Sequence, residues 1–340
     1  MDVPVWVWLA TIGGIAALFL FDFLVHVRKL HHPSLKEAGI WSTFYVVVAL
    51  IFGAGLWWVW GHDHGVEYLA GYITEKSLSV DNLFVFVIIM AKFQVPANFQ
   101  QKALLIGIVI ALLMRGVFIA VGAAAIEQFS WVFYLFGIFL LWTAYTLAKE
   151  SLTGGHIQGE DYEPNAVVKF IERRFPVTDD YRRAALFVRE KGRLLVTPMF
   201  VVIVALGVTD LLFAFDSIPA IYGLTEEPYI VFTANAFALL GLLQLYFLIG
   251  GLLDRLVYLG AGLALILAFI GVKLIFHAME TNTLPFINGG DGIEAVPHIS
   301  TWLSLAVIVS ILAITTIASL VASRNGSKSV KHAERAEEQA

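Results

Sequence analysis

Two polar motifs with the same spacing lie inside stretches that are otherwise apolar, and both follow the pattern T-[E/D]-x5-D-[N/S]. The two copies consist of Thr74, Glu75, Asp81 and Asn82, and of Thr209, Asp210, Asp216 and Ser217. A charged side chain near the centre of a bilayer costs about 2.5–3.5 kcal/mol. Repeated carboxylates at such positions predict one cation site built from two related halves. The competing interpretation is a set of protonated or ion-paired structural carboxylates.

The composition is that of a membrane protein. Of the 340 residues, 59% are hydrophobic and 14% are charged, whereas a soluble domain has about 25% charged residues. Apolar runs of about 20 residues predict an all-α, polytopic transmembrane helical bundle of about nine spans. The spans are predicted near 5–26, 39–60, 67–91, 103–125, 130–148, 198–222, 229–251, 257–277 and 300–322.

The basic residues predict the orientation of these spans. Lys76, Arg115 and Lys273 lie within spans, and the other 19 of the 22 Lys and Arg residues fall on one side of the membrane. The positive-inside rule makes that side cytoplasmic. We therefore expect a multi-pass plasma-membrane protein with its N-terminus outside and its C-terminus inside. Residues 1–322 form the transmembrane domain, with a cytoplasmic loop at 149–197, and residues 323–340 form a polar tail, either a frayed helix or disordered chain.

This topology makes the two motif copies antiparallel. Spans 3–5 and 6–8 are predicted to form an inverted repeat of three helices each, an arrangement that places substrate sites near the midplane, often on broken helices. Gly71, Gly207 and Pro219 are candidate helix breakers beside the acids. Six residues of α-helix rotate by about 600°, so Glu75 and Asp81 point about 120° apart. Either the helix unwinds, or the two acids serve successive sites.

Other polar residues in the spans have competing interpretations. Arg115 needs a counter-charge, and we expect a structural ion pair with one of the acids; it is also a candidate internal cation that competes when the site is empty. Asp22 and His26 are either a metal pair or an interfacial cap. Asn235 is either a helix-packing residue or an oxygen ligand. The Lys76 ammonium either pairs with a group other than Glu75 or extends along its apolar stem to the membrane surface.

The loop at 149–197 is expected to be an ordered connector. The stretch VVKFIERRF is a candidate amphipathic helix, and RRAALFVREKGRLLVTP is a candidate hairpin.

Several stretches resemble the TerC/Alx family of integral membrane proteins: EKSLSVDNLFVF, FPVTDDYRRAALFVREKGR, TDLLFAFDSIPAIYGLT and FIGVKL. The resemblance covers about residues 5 to 322. Members of the family are linked to tellurium-compound resistance and, in the Alx-like branch, to manganese export, and the wider superfamily consists of exporters built from three-helix repeats. The acids of the family motif match Glu75, Asp81, Asp210 and Asp216, and its first-span acid matches Asp22.

The resemblance has one weaker segment. Asn82 and Ser217 match the family, but Ala234 and Leu243–Gln244 stand where relatives often have a serine and the residues Arg-Ser. The family pattern is therefore not matched around Asn235.

The residue chemistry agrees with the function that the resemblance implies. Carboxylate, amide and hydroxyl oxygens suit Mn²⁺, Mg²⁺ or Ca²⁺, and the chain has no cysteine. No Walker A, HExxH or GxSxG motif is present, so we expect no enzyme activity and no permanently bound cofactor.

The predicted function is Mn²⁺ efflux in exchange for protons, and the alternative is a non-transporting membrane scaffold linked to metal or tellurium stress. The expected partners are a divalent ion, protons and lipid, with no nucleic acid and with oligomerisation possible.

Overall fold

The computed structural model describes residues 1–27, 33–129, 131–152, 176–178, 180–182, 185–190, 193–249, 258–285, 287–293 and 296–337, with 168 and 173 as single positions. The description excludes the side chains at 26, 27, 81, 84, 152, 193, 194, 249 and 324–337. The candidate helix VVKFIERRF lies almost wholly outside the described residues.

The described chain is a bundle of long helices, as the sequence predicts. The helices are α1 Val5–Asp22, α2 Leu35–Trp60, α3 His62–Lys92, α4 Ala97–Gln128, α5 Val132–Leu152, α6 Pro198–Tyr222, α7 Pro228–Leu239, α8 Leu242–Ile249, α9 Leu259–Glu280 and α10 Thr301–Glu337. A π-helical turn at Phe23–Val27 extends α1. Helix α10 continues into the predicted polar tail as far as Glu337.

The number of spans agrees with the sequence prediction. Eight helical segments of the described chain are long and apolar enough to cross a membrane, with α7 and α8 together forming one of them. Helix α3 is 31 residues long and is the ninth predicted span; its charged residues, including Glu75 and Lys76, set it apart from the other eight. The protein is therefore a multi-pass helical membrane protein.

The outer surface of the bundle is apolar. Large hydrophobic side chains such as Trp58, Leu113 and Ile138 are 90%, 67% and 58% exposed. Contiguous exposure of this kind in a soluble protein would mark an interaction surface. In this bundle it is the surface that contacts lipid.

The breaks expected beside the motif acids are absent. Helices α3 and α6 run without interruption through Gly71, Gly207 and Pro219. The predicted seventh span is broken instead: Leu240 is extended and Gly241 has a φ of +76°, which separates α7 from α8. The first alternative, an unwound motif segment, is therefore wrong for this conformation.

Helix pairing has the pattern that a twofold axis would produce. Helix α3 packs against α7, α4 packs against α6, and α5 packs along α9. In the predicted repeat, α3 corresponds to α6, α4 to α7 with α8, and α5 to α9. The α3–α7 and α4–α6 contacts are then equivalent to each other, and the α5–α9 contact joins two corresponding helices. The inverted repeat stays a prediction that this packing supports.

The loop before α6 contains the expected hairpin. Strands β1 Phe187–Glu190 and β2 Arg193–Val196 pair antiparallel, with Phe187 opposite Val196. The predicted hairpin is therefore confirmed within the described part of the loop.

The α5–α9 contact depends on a close approach of two glycines. A Cβ added to Gly137 would lie 2.9 Å from the Gly271 carbonyl oxygen and 2.6 Å from Ile275 Cγ1. A Cβ added to Gly13 in α1 would meet nothing within 4 Å.

Gly137→Ala should therefore lower the free energy of unfolding by about 1–3 kcal/mol, because the added methyl overpacks the contact. Gly13→Ala is the matched control and should be neutral or stabilise the protein by about 0.5–1 kcal/mol. Thermal unfolding of both variants in detergent micelles tests this. Equal melting temperatures for the two variants would contradict the packing described here.

Candidate ion site where four helices meet

A group of buried polar side chains lies where α3, α4, α6 and α7 meet. Its members, the Arg115 cluster, come from all four helices and comprise Glu75, Arg115, Asp210, Ser217 and Asn235. Asp210 and Ser217 are seven residues apart, which is about two helical turns, so both lie on one face of α6. Under the predicted repeat, the cluster takes two helices from each half.

The Arg115 guanidinium joins the two motif copies directly. Its Nε donates to Asp210 Oδ2 at 2.8 Å and its Nη2 donates to Asp210 Oδ1 at 3.3 Å. Its Nη1 donates to Glu75 Oε1. The planar guanidinium has five donors in a fixed geometry and forms a bidentate pair with one carboxylate while it contacts another. The expected ion pair of Arg115 with one acid is therefore a pair with two.

Neutral side chains complete the contacts of the guanidinium. Arg115 Nη1 also donates to Asn235 Oδ1 at 2.9 Å and to Ser217 Oγ at 3.3 Å. Asn235 Nδ2 donates to the Val231 carbonyl at 3.0 Å, which fixes the orientation of the amide. Asn235 therefore contributes its amide oxygen to the Arg115 cluster, and its role as a metal ligand stays a prediction.

The cluster has more negative than positive charge. Arg115 and Glu75 are fully buried and Asp210 is 1% exposed. With both carboxylates ionised, the two acids and one guanidinium leave a net charge of −1 among buried side chains. Uncompensated buried charge is strongly unfavourable. A proton would neutralise the cluster, and a divalent cation would balance the two carboxylates if the guanidinium moved away.

Several polar atoms beside the cluster lack a protein partner. Glu75 Oε2 and the hydroxyls of Thr74 and Ser79 are buried and make no hydrogen bond within the described structure. All three belong to α3, within five residues of one another. Buried polar atoms are almost always paired, so these oxygens are available to an ion or a water molecule.

None of the remaining predicted site residues has a described contact with the Arg115 guanidinium. Asn82 is 5% exposed. Asp216, which precedes Ser217 in the chain, is half-buried and interacts with another group of the protein. The side chains of Asp81 and His26 lie outside the described residues. Asp22 is buried elsewhere, where it accepts a hydrogen bond from Gln244 Nε2 at 2.9 Å. Among the described side chains, no three His, Asp or Glu residues are arranged to hold a metal ion.

Sequence reasoning missed two residues near the predicted site. Ser79 lies one turn after Glu75 in α3, and Gln244 is the partner of Asp22. Gln244 had a signal, because an amide within an apolar span needs a polar partner. Ser79 had none, since serine is common in transmembrane helices.

A second polar group, the rim cluster, lies at the end of the bundle predicted to be outside. It consists of His64 and Glu67 on α3, Thr225 and Glu226 before α7, and His277 on α9. These residues line a cavity of about 280 Å³. Glu67 Oε2 accepts from the Thr225 hydroxyl at 2.8 Å and lies 3.1 Å from His64 Nδ1. His277 Nε2 lies 2.9 Å from Glu226 Oε1 and connects α9 to the α6–α7 loop.

The hydrogen bond from His277 lowers the pKa of Glu226 below its ordinary value of 4.5. A carboxylate with a lowered pKa stabilises the folded state above its unfolded pKa, and that stabilisation disappears as the pH falls through the folded pKa.

Comparison with known proteins places the chain among membrane proteins. The family model described as "Integral membrane protein TerC family" matches residues 60–327. An uncharacterized membrane protein of Mycobacterium tuberculosis is 48% identical over 318 residues, covering 94% of this chain and 80% of that protein. An uncharacterized membrane protein of Myxococcus xanthus is 36% identical over 318 residues, covering 94% and 93%.

A third relative has a name that suggests an activity. The Alx protein of Escherichia coli, named as a candidate membrane-bound redox modulator, is 35% identical over 312 residues, covering 89% of this chain and 90% of Alx. No solved structure matches the chain.

Arg115→Leu should lower the free energy of unfolding by about 3–5 kcal/mol, because it leaves two buried carboxylates without their cation. The triple variant Arg115→Leu, Glu75→Gln, Asp210→Asn should recover most of that loss, since no charge is left uncompensated. Unfolding in mixed micelles measures both. A single variant as stable as the wild type, or a triple variant no more stable than the single one, would show that the charges are not coupled.

The contact between Glu226 and His277 should persist above pH 4.5 and break only in more acidic solution, because the pKa of Glu226 is lowered from 4.5. The NMR shift of ¹³C-labelled His277 should show an inflection below that pH, which Glu226→Gln removes and the control Glu280→Gln keeps. An inflection that survives in Glu226→Gln would assign it to another group.

Proposed function

The chain belongs to the TerC family of integral membrane proteins, and from that premise and the geometry of the Arg115 cluster we propose that it transports a hard divalent cation. Mn²⁺ is the favoured substrate, export from the cytoplasm is the direction, and protons are the counter-ion. The ion crosses by alternating access at a site formed by the acids of the two motif copies.

The observation that carries this proposal is the incomplete charge balance at Arg115. Two buried carboxylates share one guanidinium, and Glu75 Oε2 has no hydrogen-bond partner among the described residues. Carboxylate, hydroxyl and amide oxygens around a residual negative charge form the donor set of a hard cation. A purely structural ion pair would instead be expected to satisfy every buried oxygen.

In this proposal Arg115 is a tethered cation that competes with the substrate. Its guanidinium lies between Glu75 and Asp210, where it separates the two acids. When a divalent ion arrives, the acids exchange one cation for another, and neither state leaves both carboxylates uncompensated. Glu75 and Asp210 accordingly act as gating or proton-carrying groups.

The second acid of each motif copy is assigned to the metal. Asp216 is half-buried, whereas Asp210 is enclosed, so an ion reaches Asp216 first and displaces the guanidinium from Glu75 and Asp210 in a later step. Asp81 takes the equivalent place in the first copy. Asn82 and Ser217, which directly follow these acids in the chain, supply neutral oxygens, and Asn235 supplies another from α7.

Proton exchange supplies the energy for export. The chain contains no nucleotide-binding motif, which favours a secondary transporter over a pump. A proton balances the net charge of −1 of the Arg115 cluster while the guanidinium is in place, and a divalent ion balances the two carboxylates once the guanidinium is displaced, so binding of one favours release of the other.

The name of the Escherichia coli relative raises a redox role. This chain has no cysteine, which excludes thiol–disulfide exchange by its own side chains. An effect of this protein on redox balance would therefore come through the metal ions it moves.

Asp216→Asn and Asp81→Asn should abolish Mn²⁺ flux into proteoliposomes that contain only this protein, because each removes a proposed metal ligand while the Arg115 ion pairs remain. Wild-type flux should increase with an imposed pH gradient. Asp291→Asn, which changes an exposed acid in the loop after α9, is the matched control and should transport normally.

Normal transport by Asp216→Asn would contradict the site assignment. Absence of flux above empty liposomes, with folded wild-type protein and several divalent ions, would instead favour the non-transporting scaffold.

A further inference from the structure

An apolar groove lies on the surface of the bundle between α4, α5 and α6. It has a volume of about 350 Å³, and its walls are segments 118–125 of α4, 132–139 of α5 and 215–219 of α6. Every described residue that lines it is apolar. An apolar cavity of about 150 Å³ already stays dry and takes up a hydrocarbon, so the ligand that suits this groove is a hydrocarbon.

One side of the groove faces the lipid. Val121, Leu135 and Phe215, one from each helix, are 64%, 55% and 43% exposed. The floor is closed, because Ile218 is 1% exposed and Pro219 is buried. The groove is therefore continuous with the surface of the bundle that contacts lipid, and the bilayer supplies the hydrocarbon.

The walls of the groove run along the helices, in the half of the bundle predicted to be outer. In the predicted topology α4 and α6 run outwards and α5 runs inwards, so Phe118, Phe139 and Phe215 line the inner end of the groove. Phe118 and Phe215 meet there edge to face, with ring centroids 4.7 Å apart. The wall 118–125 spans about 10 Å, which is most of the hydrocarbon of one leaflet, about 15 Å thick.

The volume of the groove favours a single acyl chain over a helix from a second copy. A helix with its side chains is about 10 Å across and fills about 800 Å³ over a length of about 10 Å, more than the groove can hold. A second copy could therefore place only side chains in the groove. Acyl chains are thinner, and they surround the bundle on every side.

A chain in the groove would contact the two helices that Arg115 joins. Arg115 lies on α4, one turn before Phe118, and its partner Asp210 lies on α6. Side chains beside an unfilled void lose dispersion contacts. A bound chain supplies such contacts to both helices at once and so stabilises their packing.

We propose that the apolar groove binds one lipid acyl chain of the outer leaflet, and that the bound chain stabilises the packing of α4, α5 and α6. No described lining residue carries a charge, so the site recognises the chain and not the headgroup. The groove shares no side chain with the Arg115 cluster. Binding of the chain therefore does not depend on the proposed transport.

Photocrosslinking of the purified full-length protein tests this. Phosphatidylcholine with a diazirine in one acyl chain is titrated into detergent micelles of the protein, and mass spectrometry locates the adducts. Labelling of the three groove segments should saturate at about one lipid per chain. Labelling around Leu113 and Val117, which are 67% and 66% exposed on the open face of α4, should instead rise in proportion to the lipid.

Two variants of α4 separate the groove from general contact with lipid. Ala125→Phe fills the groove with its own ring and should reduce groove labelling several-fold, and added lipid should raise its melting temperature less than that of the wild type. Val117→Phe adds the same ring outside the groove and should behave as the wild type in both measurements. Ala125→Leu is the second variant should Ala125→Phe fail to fold, and it should change both measurements in the same direction.

Groove labelling that rises without saturation, or that is unchanged when Ala125 is enlarged, would overturn the proposal. Exclusion of lipid from the groove in a dimeric protein would overturn it as well, because a second copy would then cover the groove. An equal rise in melting temperature for the wild type and the Ala125 variant would contradict the stabilising role of the chain.

Discussion

A guanidinium buried inside a membrane protein must be met by carboxylates, and this requirement organises the centre of the molecule. Arg115 on α4 reaches Glu75 on α3 and Asp210 on α6, so the pairing fixes three helices relative to one another. Asn235 adds α7 to the same cluster. Because these side chains are buried, separating their charges costs far more than it would at a surface.

The bundle contains a second internal cation in a different environment. Arg115 is held by acids, whereas Lys76 is held by the carbonyl end of a broken helix. The two cations are thus placed at the two kinds of oxygen site that a transported ion would use, carboxylates and main-chain carbonyls. A tethered cation at each position offsets part of the negative charge of these oxygens when no ion is bound, and under the proposed transport it sets the free energy that an incoming ion must supply to displace it.

Much of this arrangement could be predicted from the sequence, but its lateral contacts could not. Hydropathy and the motif spacing predicted the spans and placed Glu75 and Asp210 as related acids. Periodicity within one helix says nothing about which neighbouring helix lies beside it, so the sharing of Arg115 by both acids needed the fold. The helix break was predicted beside Gly71, Gly207 and Pro219, but these helices are unbroken because glycine and proline are tolerated within transmembrane helices. The break lies instead at Gly241, where close packing against Tyr45 leaves no room for a side chain.

The most direct test of the account is a crystal structure of the protein with Mn²⁺, in which the anomalous signal of the metal locates the ion. The account predicts a peak within coordinating distance of Asp216 and at least one other motif acid, with the Arg115 guanidinium no longer between Glu75 and Asp210. A peak elsewhere, or an ion at the motif acids with the Arg115 pairs intact, would contradict the claim that Arg115 and the substrate compete for the same carboxylates.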